Sequence, residues 1–144
     1  IIFVLSLNSS IDSDLLKELI TRKKRVIVLI PTGILQLKLR KDIKNIWDNN
    51  LITTVSIFPP NQIWKKYSNI QTLKFALSIS KVLLINTMQI DYLKSIQKEL
   101  IKHNCKFYIN YWNDRNTFFE SIHAIPVGKD SFTGLPNVKK IDLI

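Results

Sequence analysis

Glycine is scarce in this chain: three among 144 residues, at positions 33, 128 and 134. A sequence this poor in glycine contains no Gly-x-Gly-x-x-Gly or Walker A loop, so the dinucleotide and NTP chemistry those loops serve is not expected. Cysteine occurs once, as Cys105, which excludes an internal disulfide and fits a reducing, cytoplasmic setting. The only histidines, His103 and His123, lie in no triad, and His103 with Cys105 lacks the paired four-ligand spacing of a structural zinc site. The chain is therefore read as non-enzymatic, with no catalytic residue, no cofactor and no metal. Long apolar runs are missing too. The N-terminal stretch Ile1-Ile2-Phe3-Val4-Leu5 is far shorter than the ~20 residues of a membrane-spanning helix. It has neither a basic stretch before it nor a small-residue cleavage site after it, so it reads as a strand rather than a signal peptide, and no membrane partner is expected.

Acidic residues are the other shortage. Eleven Asp and Glu stand against 21 Lys and Arg, a net charge of +10. That balance suits a polyanion, because each phosphate met by a cation releases condensed counterions. Lysine also accumulates without any ligand in a chain so heavy in Ile, Asn and Lys, so charge alone leaves both readings open.

What is present is a regular alternation of two hydrophobic periods. Short apolar, β-branched runs at residues 2–5, 26–30, 52–57, 82–85 and 107–109 suit strands covered on both faces. Between them, helical spacing places Ile11, Leu15, Leu16, Leu19 and Ile20 on one inward stripe. Ile43, Ile46 and Trp47 share one side of a second helix over 35–49, and a third, less regular helix covers 70–78. In a fourth, Ile90, Leu93, Ile96, Leu100 and Ile101 face inward while Asp91, Lys94, Lys98 and Lys102 face out. Phe118-Phe119 opens a short helix, and 122–127 forms a last strand.

This succession predicts one α/β domain over residues 1–144, a Rossmann-like three-layer fold with a mostly parallel sheet of about five to six strands. In such sheets ligands sit beyond the carboxyl ends of the strands, which draws attention to residues 6–10, 31–33, 58–69, 86–89 and 110–116.

Three of those loops carry a resemblance. Leu5-Ser6-Leu7-Asn8-Ser9-Ser10-Ile11-Asp12 stands where the DprA/Smf family of DNA-processing proteins has Ser-Gly-x-Ala-Arg-Gly-Ile-Asp after a strand. Pro31-Thr32-Gly33-Ile34 is similar to its Gly-x-Gly-Ile/Leu loop, and Ser56-Ile57-Phe58-Pro59-Pro60-Asn61 to its Ser-Glu-x-Pro-x-Gly loop. Order and spacing agree over roughly residues 5 to 112. At other family positions the chemistry differs: Ser9 replaces an arginine, Gln71-Thr72-Leu73 an Arg-Asn-Arg, and Tyr111-Trp112 a Pro-Gly. The resemblance implies a single-stranded DNA-binding mediator of recombination and natural transformation. It further implies a homodimer handing DNA to a RecA-type recombinase, and a first βα unit lying before Ile1.

The candidate nucleic-acid-binding residues are Ser6, Ser9, Ser10, Gly33, Trp64, Lys65, Lys66, Tyr67 and Arg115. Ser6, Ser9 and Ser10 lie between a strand and a helix N-terminus, where free N–H groups and the helix dipole favour a phosphate; the same residues serve equally to cap the helix. Trp64, Lys65, Lys66 and Tyr67 mix rings that stack bases with cations that meet the backbone, or else the rings anchor the loop and the lysines are solvated. Arg115 closes a second such cluster with Tyr111 and Trp112. Arg22-Lys23-Lys24-Arg25, at the amino end of a strand, reads as a solvated turn. Two further classes stay open: a degenerate domain serving protein–protein interaction, and a nucleotide-binding enzyme relic.

Overall fold

A computed structural model of the chain describes residues 1–85, 90–110, 117–137, 139 and 141. They fall into two compact units, Ile1–Ala76 and Leu77–Ile144.

In the first unit the apolar runs become β1 (Ile2–Ser6), β2 (Arg25–Leu29) and β3 (Ile52–Val55), parallel throughout and in the order β1-β2-β3. Phe3 stands beside Val26, and Val26 beside Ile52. Two helices join them, α1 (Ser10–Thr21) and the single turn α2 (Lys41–Lys44). The core combines Leu5, Val26, Val28 and Ile52 of the sheet with Leu16, Leu19 and Ile20 of α1 and Ile43 of α2. Leu16 and Ile43 are wholly buried, and each such side chain contributes about 1.5–3 kcal/mol.

The scarcity of glycine shows where α1 stops. Lys24 N–H donates to Leu19 C=O and Lys23 N–H to Ile20 C=O, both at 2.9 Å, the paired bonds of a Schellman end. The residue after the cap is normally glycine because it adopts a left-handed conformation; here it is Lys23, at φ +55°. The turn Arg22-Lys23-Lys24-Arg25 is exposed, as expected.

In the second unit β4 (Val82–Ile85), β5 (Lys106–Asn110) and β6 (Ile125–Val127) are again parallel and in chain order. The unit also holds α4 (Asp91–Ser95), α5 (Gln97–Lys102) and α6 (Thr117–Ser121); the division from the first unit falls inside α3 (Ser68–Ile79). Leu93, Ile96, Leu100, Phe107, Ile109, Phe119 and Val127 are buried. The Phe118 and Phe119 rings meet edge to face, 5.6 Å apart. α6 ends as α1 does, with Ala124 N–H on Phe119 C=O, His123 N–H on Glu120 C=O, and His123 at φ +56°.

The α/β class with parallel strands is as expected, but the single sheet of five to six strands is not: the described strands form two three-stranded ladders. Apolar runs mark which residues are strand; they carry no information on which strands share a ladder. The helix expected over 35–49 is also replaced. Residues 34–36 make one 3-10 turn, Leu37 and Arg40 are extended, and only Lys41–Lys44 is helical. The cause is legible afterwards: Leu35-Gln36-Leu37-Lys38-Leu39-Arg40 alternates with period two, the pattern of extended chain. The fourth helix breaks at Ile96, which sits at φ −117°, ψ 20° between α4 and α5.

The inward stripes are narrower than expected. Ile11 and Leu15 of α1 are exposed, as is Ile101 of α5, and Ile2 and Phe3 leave the start of β1 uncovered on both faces. Strand ends differ slightly: β2 ends at Leu29, β3 at Val55, and β6 covers only the end of the 122–127 run.

Candidate nucleic-acid interface

The carboxyl ends of β1, β2 and β3 are laced together by backbone. Leu7 N–H donates to Leu29 C=O and Ile30 N–H to Val55 C=O, each at 3.0 Å, and Ser56 Oγ donates to Thr32 C=O at 2.6 Å. Gly33 is the crossing point. Its N–H donates to Gln62 C=O at 2.7 Å, while Leu35 N–H reaches Pro60 C=O at 3.0 Å. A β-carbon at position 33 would collide with the carbonyl oxygens of both Pro59 and Pro60. Glycine is needed there so that one loop's backbone passes against another's, and its N–H is already engaged.

Beside this crossing lies a cleft of about 510 Å³, within the size range of small-ligand sites. Its walls are the 7–10 turn and Ser13 of α1, residues 30–32 after β2, Gln36 with the extended segment 37–40, Ile43, and Trp64 with Asn69. Of the candidate residues, Ser9, Ser10 and Trp64 line it together; Ser6, Gly33, Lys65, Lys66 and Tyr67 do not.

The N-terminus of α1 is closed by its own side chains. Ser9 Oγ donates to Asp12 Oδ2 at 2.8 Å and accepts the Asp12 N–H at 3.3 Å. Asn8 N–H donates to the same Oδ2 at 3.0 Å, and Asn8 Nδ2 donates to Ser6 Oγ at 3.0 Å. Ser9 is thus the N-cap of α1, with Asp12 returning the bond as in a capping box. Helix geometry leaves the Ser9, Ser10 and Ile11 N–H groups as the remaining donors at that end.

Lys38 and Arg40 enter the cleft on the extended segment, and reading 35–49 as a helix hid them. Arg40 is tied down: its guanidinium donates to Asp42 at 2.7 Å and to Asp14 at 2.8 Å, and Asp42 also receives Lys17 at 3.3 Å. Asp42, then Asp14, hold the Arg40 charge more firmly than usual, and Arg40, then Lys17, keep the Asp42 carboxyl well below the carboxylate range. Lys38 has no acidic partner among the described residues.

The 64–67 segment is presented outward. Trp64 is 53 % and Tyr67 47 % exposed, so neither ring anchors the loop in the core. Trp64 Nε1 donates to Asn69 Oδ1 at 3.1 Å, which leaves the ring faces uncovered by that contact. The wholly buried Ser68 pins the segment: its Oγ accepts the Lys65 N–H at 3.1 Å and its N–H donates to Lys65 C=O at 2.8 Å. The Lys65 ammonium rides 5.9 Å from the Tyr67 ring centre, a cation–π distance, and Lys66 is exposed.

Arg115, with Tyr111 and Trp112, lies outside the described residues, as does the 86–89 loop. Among the described residues no group of three or more His, Cys, Asp or Glu is placed to hold a metal, and no helix is long and apolar enough to cross a membrane. The chain matches no protein-family model, no curated protein and no solved structure.

Proposed function

We propose that this chain is a non-catalytic, cytoplasmic single-stranded DNA-binding protein, a Rossmann-like relative of the DprA/Smf DNA-processing proteins. The observation that supports it most is the joint placement of Trp64, Lys38 and the N-terminus of α1 around one cleft at the carboxyl ends of parallel strands. A ring half in solvent stacks a base, an unpaired lysine meets a phosphate, and helix N–H groups take a second. Lys65, Lys66 and Tyr67 continue the same chemistry along the outer loop. By the family resemblance the chain acts as a homodimer that passes DNA to a RecA-type recombinase, in recombination and natural transformation.

Anisotropy of labelled oligo-dT across a salt series, beside duplex of equal length, tests this. Micromolar or tighter binding, preference for the single strand, and a log–log salt slope of about −0.7 per phosphate neutralised are expected. Trp64→Ala is expected to cost about 1–3 kcal/mol of affinity. Absence of binding at low salt would sink the reading.

One observation favours a second reading. Acidic side chains already stand at the two features best suited to hold an anion: Asp12 at the α1 N-terminus, and Asp14 and Asp42 on Arg40. With Ile11 and Leu15 exposed on α1, that combination suits a domain that keeps the scaffold for protein–protein contact. Binding of a protein partner that is insensitive to salt, together with failure to bind oligo-dT, would select it.

A further inference from the structure

A short hairpin in the second unit holds one ring almost wholly in water. Lys129 and Pro136 form an antiparallel bridge, closed further by Asp130 N–H on Leu135 C=O at 2.8 Å and Asn137 N–H on Gly128 C=O at 2.7 Å. At its tip Asp130 Oδ1 accepts three bonds: Phe132 N–H at 3.0 Å, Thr133 N–H at 2.9 Å and Thr133 Oγ1 at 3.1 Å. Gly134 N–H returns to Asp130 C=O at 3.0 Å, and Gly134 takes φ +70°, a conformation that suits glycine. The product of all this pinning is Phe132, 97 % exposed. A ring so exposed contributes nothing to the core, and a tip already ordered loses little entropy on meeting a partner.

The charge around the ring narrows the partner. The Lys129 side chain crosses the tip, its Cε 3.5 Å from where a Gly134 β-carbon would stand, and Lys139 is exposed nearby in sequence. The one acid of the tip, Asp130, commits its Oδ1 to the turn itself. An exposed ring on a pinned turn, with the Lys129 side chain reaching across the same tip, is a pairing that stacks an unpaired base while lysine meets the adjoining phosphate.

We propose that Phe132 is a base-stacking finger for single-stranded nucleic acid, with Lys129 as its phosphate contact. The inference rests on the single-strand reading above and adds a second, independent contact point to it.

The experiment compares the full chain with Phe132→Ala and Phe132→Trp, using labelled oligo-dT and an oligonucleotide of equal length built from abasic sites. Phe132→Ala is expected to weaken oligo-dT binding about 5- to 150-fold, the span of one lost stacking contact. It should leave abasic binding and the melting temperature unchanged, and Phe132→Trp should restore affinity for oligo-dT. If the native chain binds oligo-dT and Phe132→Ala binds it equally well, the finger is wrong and the cleft reading stands. If the native chain binds no oligonucleotide, both fall. Phe132-dependent binding to anionic phosphatidylserine vesicles in that case would assign the hairpin to a membrane surface instead.

Discussion

Ser9 and Asp12 close the N-terminus of α1 on each other, the hydroxyl donating to the carboxylate at 2.8 Å and accepting the Asp12 N–H at 3.3 Å. A negative charge therefore occupies the end of the helix where a phosphate would sit, and the helix dipole already favours it. Asp12→Asn is expected to tighten oligo-dT binding and steepen its salt dependence, since a repulsive charge bonded to the cleft residue Ser9 is removed. Ser9→Ala is expected to cost about 0.5–2 kcal/mol of stability, the usual loss of an N-cap. Urea melts and anisotropy on both variants check this; unchanged affinity in Asp12→Asn would remove α1 from the phosphate site.

Gly33 stands where two loops cross, and the oxygens that a β-carbon would strike belong to the backbone of Pro59 and Pro60. Neither proline can swing aside as a side chain tip does. Gly33→Ala is expected to destabilise the chain by about 1–3 kcal/mol or more, the range for overpacking. Chemical denaturation measures it, and a loss below about 0.5 kcal/mol, the ordinary surface-substitution range, would show that the crossing is looser than the geometry implies.

Lys23 and His123 each hold the left-handed position that ends a helix, at φ +55° and +56°. A side chain there costs about 1–2 kcal/mol relative to glycine's freedom, offset in part by the flexibility glycine adds to the unfolded chain. Lys23→Gly and His123→Gly are each expected to raise the melting temperature by a few degrees, measurable by calorimetry. Lys23→Pro is expected to lower it, because proline cannot adopt positive φ.

Two carboxylates contribute to the acid limb of stability. Arg40 and then Lys17 depress Asp42; the Thr133 N–H, the Phe132 N–H and then the Thr133 hydroxyl depress Asp130. Both folded values lie below the unfolded value of about 4, so each group favours the folded state above that pH. The contribution is lost as pH falls from about 4 through the depressed folded values. Asp42→Asn with Asp130→Asn is expected to lower stability at pH 7 and to make its decline below pH 4 shallower. Denaturant midpoints measured from pH 7 to pH 2 test this, and parallel curves for both proteins would refute it.

Much of the fold was legible because hydrophobic period is a local property. The five apolar runs became β1 to β5, and Leu16, Leu19 and Ile20 took the buried side of α1 as their spacing implies. Ser9 was legible as a cap or a ligand but not as one of the two, since the choice depends on Asp12 reaching back across a turn. Lys38 and Arg40 were missed because a helical period was read over a segment whose leucines alternate.

What the sequence determined alone is the element type wherever one short window carries a single period, the charge balance, and the lack of a glycine-rich loop motif among its residues. Tertiary structure alone decided that the described strands sort into two three-stranded ladders, because a hydrogen-bond ladder joins residues far apart in the chain and leaves no local mark. It also decided that Trp64, Ser9 and Ser10 line one cleft, and that Gly33 sits at a backbone crossing. Each of these depends on what approaches a residue in space, which no run of neighbours along the chain encodes.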